Sequence, residues 1–148
     1  MQQYIDLLHR EGCSCVIAYP DGRVITGTKR GVMDLYDLYR ADNTALCGVR
    51  MADKVVGKGA AALMVLGGIS FLYADVISMP ALALLEKAGI QVSYGECVEY
   101  IINRDRVGRC PLETLCDSET DIYKLWPIIE DFVEGIKRKM HVANVSGL

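Results

Sequence analysis

Ile69-Ser70-Phe71-Leu72-Tyr73-Ala74-Asp75-Val76-Ile77, followed by Ser78-Met79-Pro80-Ala81-Leu82-Ala83-Leu84-Leu85-Glu86-Lys87-Ala88-Gly89, decides the architecture. The first run is apolar and β-branched without strict alternation, the pattern of a central strand covered on both faces. Ser78 then offers an N-cap and Pro80 suits a first helical turn. Ala81, Leu82, Leu84, Leu85 and Ala88 form the apolar stripe, and Gly89 stops the helix. A strand feeding directly into a helix is the unit of an α/β sheet.

Working outward, the preceding segment predicts another helix, starting near Asp53 and running through Lys58 and Ala60-Ala61-Ala62-Leu63-Met64 to a stop at Gly67-Gly68. Its small residues suit close packing on a sheet. Towards the N-terminus, Cys15–Tyr19 and Arg23–Thr26 flank Pro20-Asp21-Gly22 and read as a hairpin. A short helix from Gln2 to Arg10, stopped by Gly12, opens the chain, and Gly31–Arg40 suits a helical or loop segment over the sheet. Beyond the central unit, Ile90–Tyr94 and Val98–Ile102 read as two strands split by Gly95-Glu96. From Ser118 a Ser-x-x-Asp start leads into Ile122, Leu125, Ile128, Ile129, Phe132 and Ile136 at helical spacing, with Pro127 expected to kink or split the helix.

The 148 residues suit one domain, 1–148, with 118–140 as a C-terminal helical extension. Hydrophobic residues make up 51% and charged residues 24%, a balance that builds a core and argues against disorder. A net charge of −3 supplies no basic face for nucleic acid. The longest apolar stretch, Gly59–Leu72, is too short and too glycine-broken to span a bilayer. No export signal accompanies the six cysteines, so they read as reduced thiols of a cytoplasmic chain.

Four segments carry a resemblance: Ala52-Asp53-Lys54-Val55-Val56-Gly57-Lys58-Gly59-Ala60-Ala61, Ala74-Asp75-Val76-Ile77-Ser78, Leu84-Leu85-Glu86-Lys87-Ala88-Gly89-Ile90 and Tyr100-Ile101-Ile102-Asn103-Arg104-Asp105. On these the chain resembles domain-of-unknown-function family 1893, from roughly Leu8 to Leu115. The resemblance implies a cytidine-deaminase-like three-layer α/β/α fold with a mixed central sheet of about five strands. Homodimers are also in keeping with it, since related folds commonly associate.

Zinc deaminases present His/Cys-x-Glu at one helix start and Pro-Cys-x-x-Cys at the next, supplying three ligands and a general acid/base. This chain has neither. His9 and His141 lie near its two ends, and Val76-Ile77-Ser78-Met79-Pro80 contains no cysteine. The reading therefore calls for no metal and no cofactor, and excludes zinc-dependent deamination. It places a small anionic ligand, such as a nucleotide, where helix starts converge. Asp53, Lys54, Gly57, Lys58 and Gly59 form one start and Ser78 the other, with Asp75 available to a sugar hydroxyl or base amine.

The plainer alternative stands beside it: the glycines let the helix approach its neighbours, Lys58 is a solvated charge and Asp53 a cap. A metal-free enzyme using Lys58, Asp53, Asp75 or a cysteine, or a protein-interaction module, are the competing functions. Cys13 and Cys15, two residues apart at a strand start, are expected on one face, and Cys110 and Cys116 are close enough in sequence to approach across a turn. Trp126 with Tyr123, Ile129 and Phe132 reads as core packing or as a partner-binding stripe. Tyr36, Tyr39 and Arg40 suit either the wall of a base pocket or an ordinary amphipathic segment.

Overall fold

Val16 pairs with Thr26 and Ile17 with Ile25 in an antiparallel hairpin, β1 (Cys15–Ala18) and β2 (Val24–Gly27). Gly22, at φ 93°, makes the tight return that only glycine adopts freely. The computed structural model describes residues 1–29, 32–101 and 111–146. Within them the remaining elements are α1 (Gln2–Glu11), α2 (Met33–Ala41), β3 (Arg50–Val56), α3 (Lys58–Gly67), β4 (Phe71–Ser78), α4 (Met79–Lys87), β5 (Gln91–Val98), α5 (Pro111–Cys116) and α6 (Ile122–Ser146).

The five strands form one mixed sheet in the order β2-β1-β3-β4-β5. β3 runs antiparallel to β1 and parallel to β4, which is parallel to β5. The two parallel crossovers, through α3 and α4, lie side by side on one face, as crossovers of constant hand require when strands advance in one direction. α2 and α6 complete that layer, and among the described helices α1 alone packs against the other face, giving three layers, α/β/α.

Two clusters divide the core. The larger joins the sheet to α2, α3, α4 and α6 through residues such as Ile17, Met51, Leu63, Leu72, Leu85 and Leu125. The smaller joins α1 to the opposite face through Leu8, Cys13, Val16 and Ala52, with Tyr73 at its edge. α3 is buried nearly all round, consistent with its Ala60-Ala61-Ala62 run.

Three local expectations need correction. No helix begins near Asp53: Arg50–Val56 is a strand hydrogen-bonded on both edges, and the helix starts only at Lys58, after Gly57. Asp53 is a strand residue whose side chain is buried, so its polarity misleads. Gly95-Glu96 does not separate two strands: one strand, β5, pairs with β4 from Gln91 to Val98, and of the predicted second strand only Val98 belongs to it, Glu99 to Ile101 lying beyond its end. Cys13 and Cys15 sit in different clusters on opposite sides of the sheet, since the chain bends at Ser14 before β1 begins. Of the two outcomes expected at Pro127, the split does not occur, since the last helix continues through it. Gly31, Ile102 to Asp105 and Cys110 lie outside the described residues.

Candidate functional site

The β3–α3 junction is the expected anion cradle, and a side chain of the protein itself fills it. Gly57 forms the N-cap in extended backbone, leaving the first N–H groups of α3 in need of acceptors. The Lys58 N–H donates to Glu113 Oε2 at 2.5 Å, and the Ile101 N–H donates to Oε1 at 3.2 Å. Glu113 is only 1% exposed. A buried carboxylate on backbone donors at a helix start is the arrangement favoured by the helix dipole.

The two glycines open this slot. A Cβ on Gly57 would stand 2.7 Å from Glu113 Oε2, and one on Gly59 would stand 2.5 Å from Leu112 Cδ2. Lys58 is buried, and its ammonium donates to the carbonyl of Asp117, just past α5, at 3.1 Å. Gly57, Lys58 and Gly59 thus form a seat for α5. Ser78 is fully buried and caps α4, its Oγ accepting from the Ala81 N–H at 3.2 Å.

Asp53 and Lys54, adjacent in β3, belong to opposite faces of the sheet by strand alternation. Asp53, 8% exposed, pairs in register with Cys15 on the helix-covered side. Burial pushes its pKa up to about 7; the Val55 and Lys54 N–H groups moderate that rise, and the charges of Asp34 and Asp75 add to it. The Cys15 thiol is pushed up to about 12, chiefly by burial, then by Asp53 and Asp34. Above them Asp34 Oδ2 accepts from the Lys29 N–H at 2.9 Å and from the Ser14 hydroxyl at 3.3 Å. A cavity of about 160 Å³ opens beside this group, lined among others by Ile17, Gly27, Lys29 and Asp34.

On the other face, Asp75 accepts from Tyr73 Oη at 2.8 Å, and its two oxygens lie 2.8 and 2.9 Å from His9 Nε2. That hydrogen bond is the first cause of the raised Tyr73 pKa. The seven expected residues therefore divide between the α5 seat, the α4 cap and the two sheet faces. Among the described residues no group of three or more His, Cys, Asp or Glu is arranged to hold a metal ion. None of the described helices is long and apolar enough to cross a membrane.

Tyr36, Tyr39 and Arg40 serve the fold. Trp126 stacks on Tyr36 with centroids 5.6 Å apart and meets Tyr39 edge-on at 5.1 Å. Arg40 pairs with Glu130 at 2.6 Å, and the Tyr36 hydroxyl donates to Glu134 at 2.7 Å. Sequence reasoning passed over Glu113, His9 and Tyr73. The signal for Glu113 was indirect: two glycines bracketing Lys58 imply that something packs directly over them.

A mixed five-stranded sheet between helical layers, with a carboxylate-filled slot at the end of a parallel strand, defines this as an α/β/α domain. The chain belongs to the family described as TM1506, domain of unknown function (DUF1893), which it matches over residues 3–133. It is similar to the crystal structure of a DUF1893 family protein (TM1506) from Thermotoga maritima at 2.70 Å resolution, with 27% identity and a TM-score of 0.79. That likeness covers 88% of this chain and 87% of the other. No curated protein matches this chain.

Proposed function

We propose that this domain keeps a cytidine-deaminase-like frame without zinc and binds a small anionic ligand, a nucleotide or nucleotide derivative, at the β3–α3 junction. Glu113 holds that position in the ligand-free state. The observation that carries the reading is the buried Glu113 carboxylate on the Lys58 and Ile101 N–H groups, in a notch that Gly57 and Gly59 leave open. A slot that binds one carboxylate through backbone donors has the chemistry for another oxyanion. Lys58, now on the Asp117 carbonyl, is the nearest cation of the motif, and an anion that displaces α5 gains it as a partner.

Thermal-shift measurements with inorganic phosphate, AMP and UMP test this on the wild type and on Glu113→Ala. A ligand at about a hundred times its Kd adds about 2.7 kcal/mol of stability. At ~2–4 °C per kcal/mol for a chain of this size, that is a shift of several degrees. The expected result is a larger shift in Glu113→Ala, whose slot is vacant. No shift in either protein, or equal shifts in both, would remove the junction as the binding site.

A further inference from the structure

The face of the sheet on which α1 packs carries a second constellation, which uses none of the junction residues. α1 is seated by Leu8 against Val16 and Ala52, bringing His9 over β4. Asp75 receives both His9 Nε2 and the Tyr73 hydroxyl. An ionised carboxylate only accepts, so a neutral His9 ring keeps its proton on Nε2 and turns the lone pair of Nδ1 outward. The His9 side chain is 51% exposed, and Nδ1 has no partner among the described residues.

The strand register supplies the neighbours. Asp53↔Ala74 and Val55↔Val76 set Lys54 beside Asp75, and Ala74↔Tyr94 with Val76↔Glu96 set Gly95 on its other side. Alternation puts Lys54 on the face of Ala52, the face that α1 covers. Its ammonium has no hydrogen-bond or ion-pair partner among the described residues. Gly95 brings no side chain to this level, so the sheet lies bare beside the dyad; a Cβ there would stand 2.9 Å from the Asp75 carbonyl oxygen and 3.7 Å from the Tyr73 hydroxyl. Elsewhere on α1, Gln2 is engaged with Asp6 and Arg10 with Glu11.

The acceptor on His9 thus stands over Asp75, and the backbone of Lys54 runs one strand spacing, ~5 Å, from that of Asp75. A bare anion at Lys54 would gain that cation but also face the neighbouring Asp75 charge. A ligand that also donates a hydroxyl to His9 Nδ1 turns the same dyad from a repulsive neighbour into a partner. We propose that His9, Asp75, Tyr73 and Lys54 form a site for a small hydroxylated phosphate ester, with the hydroxyl on His9 and the phosphate on Lys54.

Histidine ring NMR spectra recorded with sn-glycerol 3-phosphate, propyl phosphate and glycerol test the proposal, with His141 as internal control. Glycerol 3-phosphate is expected to move the His9 signals and to bind about fivefold more tightly than propyl phosphate, the ratio given by one ordinary hydrogen bond. His9→Gln should erase that difference, and Lys54→Met should weaken both phosphates by about fivefold or more. Static His9 signals, equal binding of the two phosphates, or His9→Gln retaining the difference would overturn it. Both substitutions lie at exposed or half-exposed positions, and an unchanged circular dichroism spectrum checks that the variants fold. The AMP response of Glu113→Ala is read separately, so either site can fail without the other.

Discussion

Gly57→Ala measured in two backgrounds asks whether the Gly-Lys-Gly turn exists to seat Glu113. At φ −99° and ψ −179° the Gly57 backbone is open to alanine, so conformation alone carries no penalty. The cost comes from contact, because the new Cβ would stand 2.7 Å from Glu113 Oε2 and 3.4 Å from Ile101 Cγ1. The second distance is tolerable and the first is not, and the carboxylate cannot retreat without losing the Lys58 and Ile101 N–H groups. Overpacking of this kind costs about 1–3 kcal/mol. In a Glu113→Ala background the obstacle is gone, and Gly57→Ala should be neutral to within ~0.5 kcal/mol, a small entropic gain offsetting a slightly poorer N-cap. The expected coupling is therefore about 1–3 kcal/mol, read from urea unfolding of the four proteins with two-state fits. Additivity within ~0.5 kcal/mol would refute the reasoning, since the two residues would then not share a contact.

Asp53 gives stability an unusual pH dependence. In the unfolded chain its carboxyl ionises near 3.8, whereas the buried group keeps its proton to about 7, so between these values the folded state binds more protons. Stability should therefore fall as pH rises through that window and level off above it. Asp53→Asn should remove the fall, gaining on the wild type by up to ~4 kcal/mol between pH 4 and 8; parallel urea midpoints across that range would contradict the burial argument. Among the described cysteines, Cys47 is exposed while Cys13, Cys15 and Cys116 are buried. Iodoacetamide at mildly alkaline pH should modify Cys47 first and leave Cys15 untouched until the chain unfolds, as peptide mapping would show.

The elements that could be read from the sequence are those whose signals are local. Pro20-Asp21-Gly22 makes the hairpin, Ser78 with Pro80 starts α4, and the apolar spacing from Ile122 onward marks α6. β3 escaped because Asp53 looks like a cap in front of an alanine-rich helix. Only pairing with β1 and β4 on its two edges makes Arg50–Val56 a strand. α5, six residues long, is too short for periodicity to reveal. The error in β3 carried through to the site. In a helix start, Asp53 and Lys54 would share one cradle with Lys58; in a strand they point to opposite faces. Residue types could be read, but their grouping depended on backbone geometry that tertiary pairing supplies.

The occupied slot also sets how strongly a ligand must bind. Glu113 is tethered a short distance from its seat, so it competes as an intramolecular partner at high effective concentration. An external anion reaches the Lys58 N–H only in the fraction of molecules whose α5 has lifted, and its apparent affinity is reduced by that fraction. If lifting α5 costs about 3 kcal/mol, within the range for losing two hydrogen bonds to a charged group, the reduction is about a hundredfold. A ligand of ordinary affinity would then go unnoticed in the wild type and appear only once the carboxylate is removed. Conversely, a ligand that binds the wild type well must draw on more than the backbone donors. Lys58, freed from the Asp117 carbonyl by the same movement, is the group placed to supply it.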